Sequence, residues 1–148
     1  MMNRAAFALS LAIPCALSAC AQSDGIDAGG AVYDGIEPTA SITLMGTEPF
    51  WGLEIKPVGE DRYTARFTHP EDIDGSVFAA SRFAGNNGLG FSGTLGERDV
   101  QVALTPGDCG DGMSDNSYPF TATVALGDAT LFGCAYTSDQ PFTGPDAP

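Results

Sequence analysis

Between Trp51 and Leu126, apolar and polar side chains alternate with period two in run after run. Trp51, Leu53 and Ile55 alternate with Gly52, Glu54 and Lys56, and Tyr63, Ala65 and Phe67 with Arg62, Thr64, Arg66 and Thr68. Leu89, Phe91 and Leu95 are spaced by Gly90, Ser92 and Thr94. Val100, Val102 and Leu104 oppose Asp99, Gln101 and Thr105, and Phe120, Ala122, Val124 and Leu126 oppose Thr121 and Thr123. Successive side chains of a strand point to opposite faces, so this pattern marks half-buried antiparallel strands and not helices. With 41–46, 77–84 and 129–136 the count reaches about eight. No segment has a sustained helical period; Pro70–Ser76 has room for one helical turn.

The punctuation between runs is turn chemistry. Val58-Gly59-Glu60-Asp61, Gly85-Asn86-Asn87-Gly88 and Leu95-Gly96-Glu97-Arg98 separate neighbouring strands, and Gly127-Asp128 is a two-residue loop of the Gly-X kind that favours a type II′ hairpin. Short connections make sequence neighbours pair as a meander. The expected fold is all-β, a small antiparallel meander barrel of about eight strands, its interior filled by side chains or holding one small ligand. Strand count alone does not decide closure, so a sandwich is the rival architecture.

The N-terminus reads differently. Arg4 precedes an apolar run, Ala5–Leu17, that ends in Leu17-Ser18-Ala19-Cys20. A positive start, a run of about 7–15 apolar residues and small residues at a cut site make a secretory signal peptide. The run is too short for a membrane-spanning helix, which needs roughly 17–25 residues. Leu-Ser-Ala-Cys resembles the lipobox of bacterial lipoproteins. That resemblance implies removal of residues 1–19, a diacylglyceryl thioether on Cys20 and acylation, such as by palmitate, of its new amine. Several acyl chains make a durable anchor, since each buried methylene adds about 0.8 kcal/mol of membrane affinity. Ala21 stands where an aspartate would resemble an inner-membrane retention signal, so the implied location is the outer membrane, facing the periplasm.

With that processing, Cys15 leaves with the signal, Cys20 carries lipid, and Cys109 and Cys134 remain to pair with each other in an oxidising compartment. Their loop of 26 residues, both ends counted, corresponds to about 3–3.5 kcal/mol of stabilisation by chain entropy. Two thiols and one histidine are too few for structural zinc. The domain plan is a signal over 1–19, a lipidated cysteine and flexible tether over 20–40, a barrel head over 41–142 and a frayed tail over 143–148. A Gly-, Ala- and Asp-rich tether of about 20 residues has a mean reach near 25 Å.

Loss of Arg4 leaves five basic against 19 acidic side chains, a formal charge of −14. Nucleic acid and anionic membrane surfaces repel such a head, whereas a cationic protein is attracted at low salt. Acidity also keeps a protein soluble and monomeric with no partner at all.

Two stretches stand apart from generic barrel sequence. In Gly46-Thr47-Glu48-Pro49-Phe50-Trp51, Pro49 biases Glu48 towards extended backbone. Thr47 and Glu48 are candidates to line a barrel mouth beside Trp51, the only tryptophan; the structural alternative is that Trp51 plugs one end of the core. In Asp108–Phe120, three aspartates, two glycines and a cysteine fall within eight residues. Asp111, Ser114 and Asp115 join Thr47, Glu48 and Trp51 as a candidate binding surface at one barrel end. Calcium, which takes 6–8 oxygens, is a rival use of Asp108, Asp111 and Asp115, although the spacing departs from the EF-hand. Asx-turns on a disulfide-pinned loop explain the same composition.

A catalytic set is not evident. His69 is the single histidine, at a strand end, and Gly112-Met113-Ser114-Asp115-Asn116 lacks the second glycine of a nucleophile elbow. No cofactor and no enzymatic activity are expected.

The segments GTEPFW (46–51) and CGDGMSDNSYPFTATVALGDATLFGCA (109–135) together resemble a family of small bacterial envelope lipoproteins of unknown function. The resemblance implies an all-β head, an envelope location and the Cys109–Cys134 bond. In size and class the chain is more distantly similar to membrane-bound inhibitors of c-type lysozyme, and to META/HslJ-type stress-associated domains. The inhibitors' Ser-Gly-x-x-Tyr signature is not met, because Gly96 follows Ser92-Gly93-Thr94-Leu95. The expectation is an anchored, non-enzymatic envelope binding or maintenance module whose ligand is a cationic protein or a small molecule. The alternative is an inhibitor of a cationic cell-wall hydrolase.

Overall fold

The computed structural model describes residues 32–145. The signal, the Cys20 lipidation site, tether residues 21–31 and the last three residues lie outside the described residues. Eight strands follow one another in order: β1 (Ile42–Thr47), β2 (Phe50–Gly59), β3 (Arg62–His69), β4 (Asp72–Ala84), β5 (Leu89–Leu95), β6 (Arg98–Cys109), β7 (Tyr118–Leu126) and β8 (Ala129–Thr137). Each is antiparallel to the next and β1 also pairs with β8, with Met45 opposite Cys134, so the sheet is a closed meander barrel and the sandwich is excluded. Closure leaves no exposed edge strand among the described residues for another chain to extend.

The alternating residues behave as their period dictates. Leu44, Leu53, Ile55, Ala65, Phe91, Val102, Leu104, Phe120, Val124 and Ala135 point inward into one contiguous core. Tyr63 meets Phe91 edge to face at 5.2 Å within it. Gly127 takes a φ of 57° while Asp128 keeps a negative one, the arrangement of the expected II′ hairpin.

Antiparallel neighbours put successive turns on alternate rims. The β1–β2, β3–β4, β5–β6 and β7–β8 turns share the first rim; the β2–β3, β4–β5 and β6–β7 connections and both chain ends share the second.

Two local expectations change. Pro70–Ser76 holds no helical turn: His69 pairs with Asp72 across a hairpin, and β4 begins at Asp72. The Asp72 carboxylate accepts from Gly75 N (3.0 Å) and Ser76 Oγ (2.8 Å), which stabilises the kink where Gly75 has φ 77°. Ordered packing also extends past 41–142 at both ends. Ile36, 2 % exposed, caps the core at the second rim. Its segment is tied down by Tyr33 N to Gly85 O (2.8 Å), Arg82 Nη2 to Ile36 O (2.9 Å) and Tyr63 Oη to Pro38 O (2.9 Å). At the other end Thr143 exchanges both backbone hydrogen bonds with Ser117.

Candidate functional site on the barrel wall

The β6–β7 connection starts at the second rim but does not stay there. A register shift between Pro106 and Cys109 bulges the end of β6, which stays paired to β7 through Cys109 opposite Tyr118. Cys109 then bonds to Cys134, Cα to Cα 5.6 Å, two strands away on β8. Cys134 alternates with the inward-facing Ala135 and therefore points outward. It is nonetheless 2 % exposed, because residues 109–116 lie over it on the outer wall. From there the segment reaches β1, where Thr47 Oγ1 donates to the Asp111 carbonyl oxygen (3.2 Å). The two sequence motifs thus meet on the outside of the barrel.

Asp111 organises this flap. Its Oδ1 accepts from Met113 N (2.9 Å) and Ser114 N (2.8 Å), and its Oδ2 from Ser114 Oγ (2.8 Å) and Tyr118 Oη (3.2 Å). The two backbone amides, followed by the Ser114 hydroxyl, hold the carboxyl down at about 2. Ser114 Oγ in turn accepts from Asn116 N (3.2 Å). Burial, aided by the Asp111 carboxylate, pushes the Tyr118 phenol above its ordinary range, against an opposing hydrogen bond with Asn116. Tyr118, Tyr136 and Phe142 form an aromatic trio with centroids 5.2–6.2 Å apart, which supports the root of the flap outside the core.

Between flap and wall runs an open cleft of about 790 Å³, lined by Met45, Thr47 and Glu48, by Phe50 and Phe132, and by Cys109–Met113 and Cys134. A second cleft of about 480 Å³ shares Met45, Thr47, Phe50 and Asp111 and continues past Gly52 and Thr68 to His69, Pro70 and Ile73. Phe50 is 56 %, Met113 and Phe132 68 % and Ile73 81 % exposed, so four large apolar side chains border one continuous groove. Among the described residues no lysine or arginine lines either cleft.

Of the expected surface, Thr47, Glu48 and Asp111 line the groove, and Ser114 is spent inside the flap's own turn. Asp115 is exposed beside that turn. Trp51 lines the second cleft as a largely buried core side chain. It is 5 % exposed, stacks on Phe67 at 6.5 Å and lies beneath Gly46, where any Cβ would collide with its indole nitrogen. Its Nε1 is buried without a hydrogen-bond partner among the described residues. The groove therefore occupies the outer wall near the first rim, not a mouth into the barrel. Among the described residues no three His, Cys, Asp or Glu side chains converge, so Asp108, Asp111 and Asp115 are not brought together as one carboxylate set. His69 rests against Phe67 at 5.8 Å, at the far edge of the second cleft.

Phe132 and Ile73 are the groove residues that sequence reasoning overlooked, whereas Phe50 and Met113 fall within the two stretches it singles out. Phe50 is out of phase with Trp51, Leu53 and Ile55, and Phe132 is in phase with Cys134. Period two alone places both on the outer face. Comparison of the chain with family models, curated proteins and solved structures yields no match.

Proposed function

We propose that this chain is an outer-membrane lipoprotein, anchored through Cys20 and facing the periplasm, whose monomeric head is a non-enzymatic envelope binding or maintenance module. The observation carrying the reading is the groove itself. A disulfide, a four-bonded carboxylate and the Thr47 hydrogen bond hold a short flap off the wall, and the apolar side chains around it stay in water. Exposed apolar surface on a soluble domain costs free energy, and where it is contiguous it marks a binding surface. Likeness to the GTEPFW-bearing envelope lipoproteins supports the same reading. The test compares capture of periplasmic and outer-membrane proteins by crosslinking to the wild-type head and to the Met113→Ser, Phe132→Ser double variant. Loss of specific partners from the variant is expected; identical capture would remove the groove from the function.

The second reading, inhibition of a cationic cell-wall hydrolase, is favoured by the formal charge of −14 and by the cation-free groove lining. Lysis of cell walls by c-type lysozyme, measured with and without oxidised Ala21–Pro148 at low and physiological salt, tests it. Salt-sensitive, stoichiometric inhibition is the expected result, and none at large molar excess ends it. The protein used must begin before Ile36, because that side chain belongs to the core.

A further inference from the structure

We infer that the groove takes a segment of a partner protein that carries lysine or arginine beside apolar side chains. The inference rests on the binding-module reading and adds the partner's chemistry. Phe50, Met113, Phe132 and Ile73 supply apolar surface to the two adjoining clefts. Glu48 lines the first cleft, Asp108 adjoins its Cys109 edge and Glu71 adjoins Pro70 at the end of the second. The single salt bridge among the described residues, Lys56–Glu54 at 2.6 Å, joins two side chains that line neither cleft. A cation entering the groove therefore meets carboxylates, and among the described residues no lysine or arginine lines it. Arg66 stands beyond the Ile73 end, its guanidinium donating to the Asp74 carbonyl oxygen (2.7 Å). The partner's apolar side chains cover the four exposed ones. Asp111 contributes negative potential without being a ligand, since its oxygens are taken up within the flap.

Two other occupants fit less well. A second copy of the chain would bring a like charge of −14 against this face. A lipid surface is disfavoured twice: anionic headgroups repel the carboxylates, and the chain enters the barrel at the second rim, through Tyr33 and Ile36, whereas the groove opens towards the first.

The barrel has its own closed core and disulfide, so oxidised, unlipidated Ala21–Pro148 serves for the test. Three labelled peptides of equal length are titrated: one alternating arginine with leucine, one arginine with serine and one glutamate with leucine. Amide chemical shifts map the contact, and the titration is repeated at high salt. The arginine–leucine peptide is expected to bind at least about tenfold more tightly than either control, as favourable charge and apolar contacts combine. Its shifts should centre on Thr47, Gly112 and Phe132, and affinity should fall with salt. Met113→Ser with Phe132→Ser should weaken it about tenfold or more, and Glu48→Lys should flatten its salt dependence. All three residues are substituted on the surface, and an unchanged thermal melt verifies folding. Equal binding of the arginine–serine peptide, shifts elsewhere, or no binding at millimolar peptide would each overturn the inference. So would capture of the head by phosphatidylcholine or phosphatidylglycerol vesicles through Met113 and Phe132, or dimerisation through them. If the crosslinking partners still depend on Met113 and Phe132 while the peptide fails, the binding module stands and its assigned partner chemistry falls.

Discussion

Two segments of this barrel lie outside its strands and are held against it in opposite ways. Residues 33–40 close the second rim by inserting Ile36 into the core, where the side chain is 2 % exposed. Residues 109–116 leave that same rim and cross the outer wall, held by a disulfide, the Asp111 carboxylate and one hydroxyl from Thr47. The first removes apolar surface from water and is a stability element. The second hides little beyond Cys134 and leaves Met113 in solvent, so its polar fastening maintains a shape whose apolar lining is free to meet something else. Fastening by burial and fastening by hydrogen bonds thus separate scaffold from site.

Substitution at Ile36 should break this contrast most strongly. Ile36→Ala is expected to cost about 2–5 kcal/mol in denaturant unfolding, through lost transfer energy and a residual cavity. The flap and its groove should persist in the fraction still folded, as read by amide shifts at Gly112 and Ser114. Replacing Cys109 and Cys134 together by serine should cost about 3 kcal/mol in the same measurement. Amide exchange should then rise first in residues 109–116 and only later in β5–β6. Uniform acceleration would mean that the bond braces the barrel as a whole.

Acid should loosen the flap alone. The Asp111 carboxyl is depressed from its ordinary 3.8 to about 2, so the unfolded chain binds the proton more readily than the native one. Its contribution is fully present above the ordinary carboxylate range, and it is lost as pH falls through about 4 to about 2. Exchange at Met113 and Ser114 should accelerate several-fold over that window, ahead of the barrel amides. Asp111→Asn should already show the loosened flap at neutral pH and lose the acid step. The smallest stability effect belongs to Phe132→Ser: within about 0.5 kcal/mol of wild type, because the ring is 68 % exposed. Its signature is in binding, and a large stability loss there would show that the ring supports the wall.

Much of the scaffold could be read before any coordinates. Inward positions such as Leu53, Phe91 and Val124 are where period two puts them, and Gly127-Asp128 turns as its chemistry requires. Ile36 escaped notice because one apolar residue among Asp34, Gly35, Glu37 and Pro38 carries no period; only the open rim above it makes it core. Asp111 and Thr47 were each marked as unusual, but 64 positions separate them and no local pattern reports that they touch. For Trp51 the sequence offers both a place in the binding surface and a plug at one end of the core. Its phase with Leu53 and Ile55 favours the plug, and the structure makes it a core side chain that also lines the second cleft.

What the sequence by itself determined is the set of interactions whose range is a few residues: strand phase, hairpin turns, the inward face and the cysteine pair left to bond. Tertiary structure alone decided that the β1–β8 seam closes, that the β6–β7 connection folds back across it, and that the groove lies on the outer wall. Those outcomes depend on strand stagger around the whole barrel and on a register shift near Pro106, which set where distant segments arrive. Period two reports which way a side chain faces, but not what comes to lie over it.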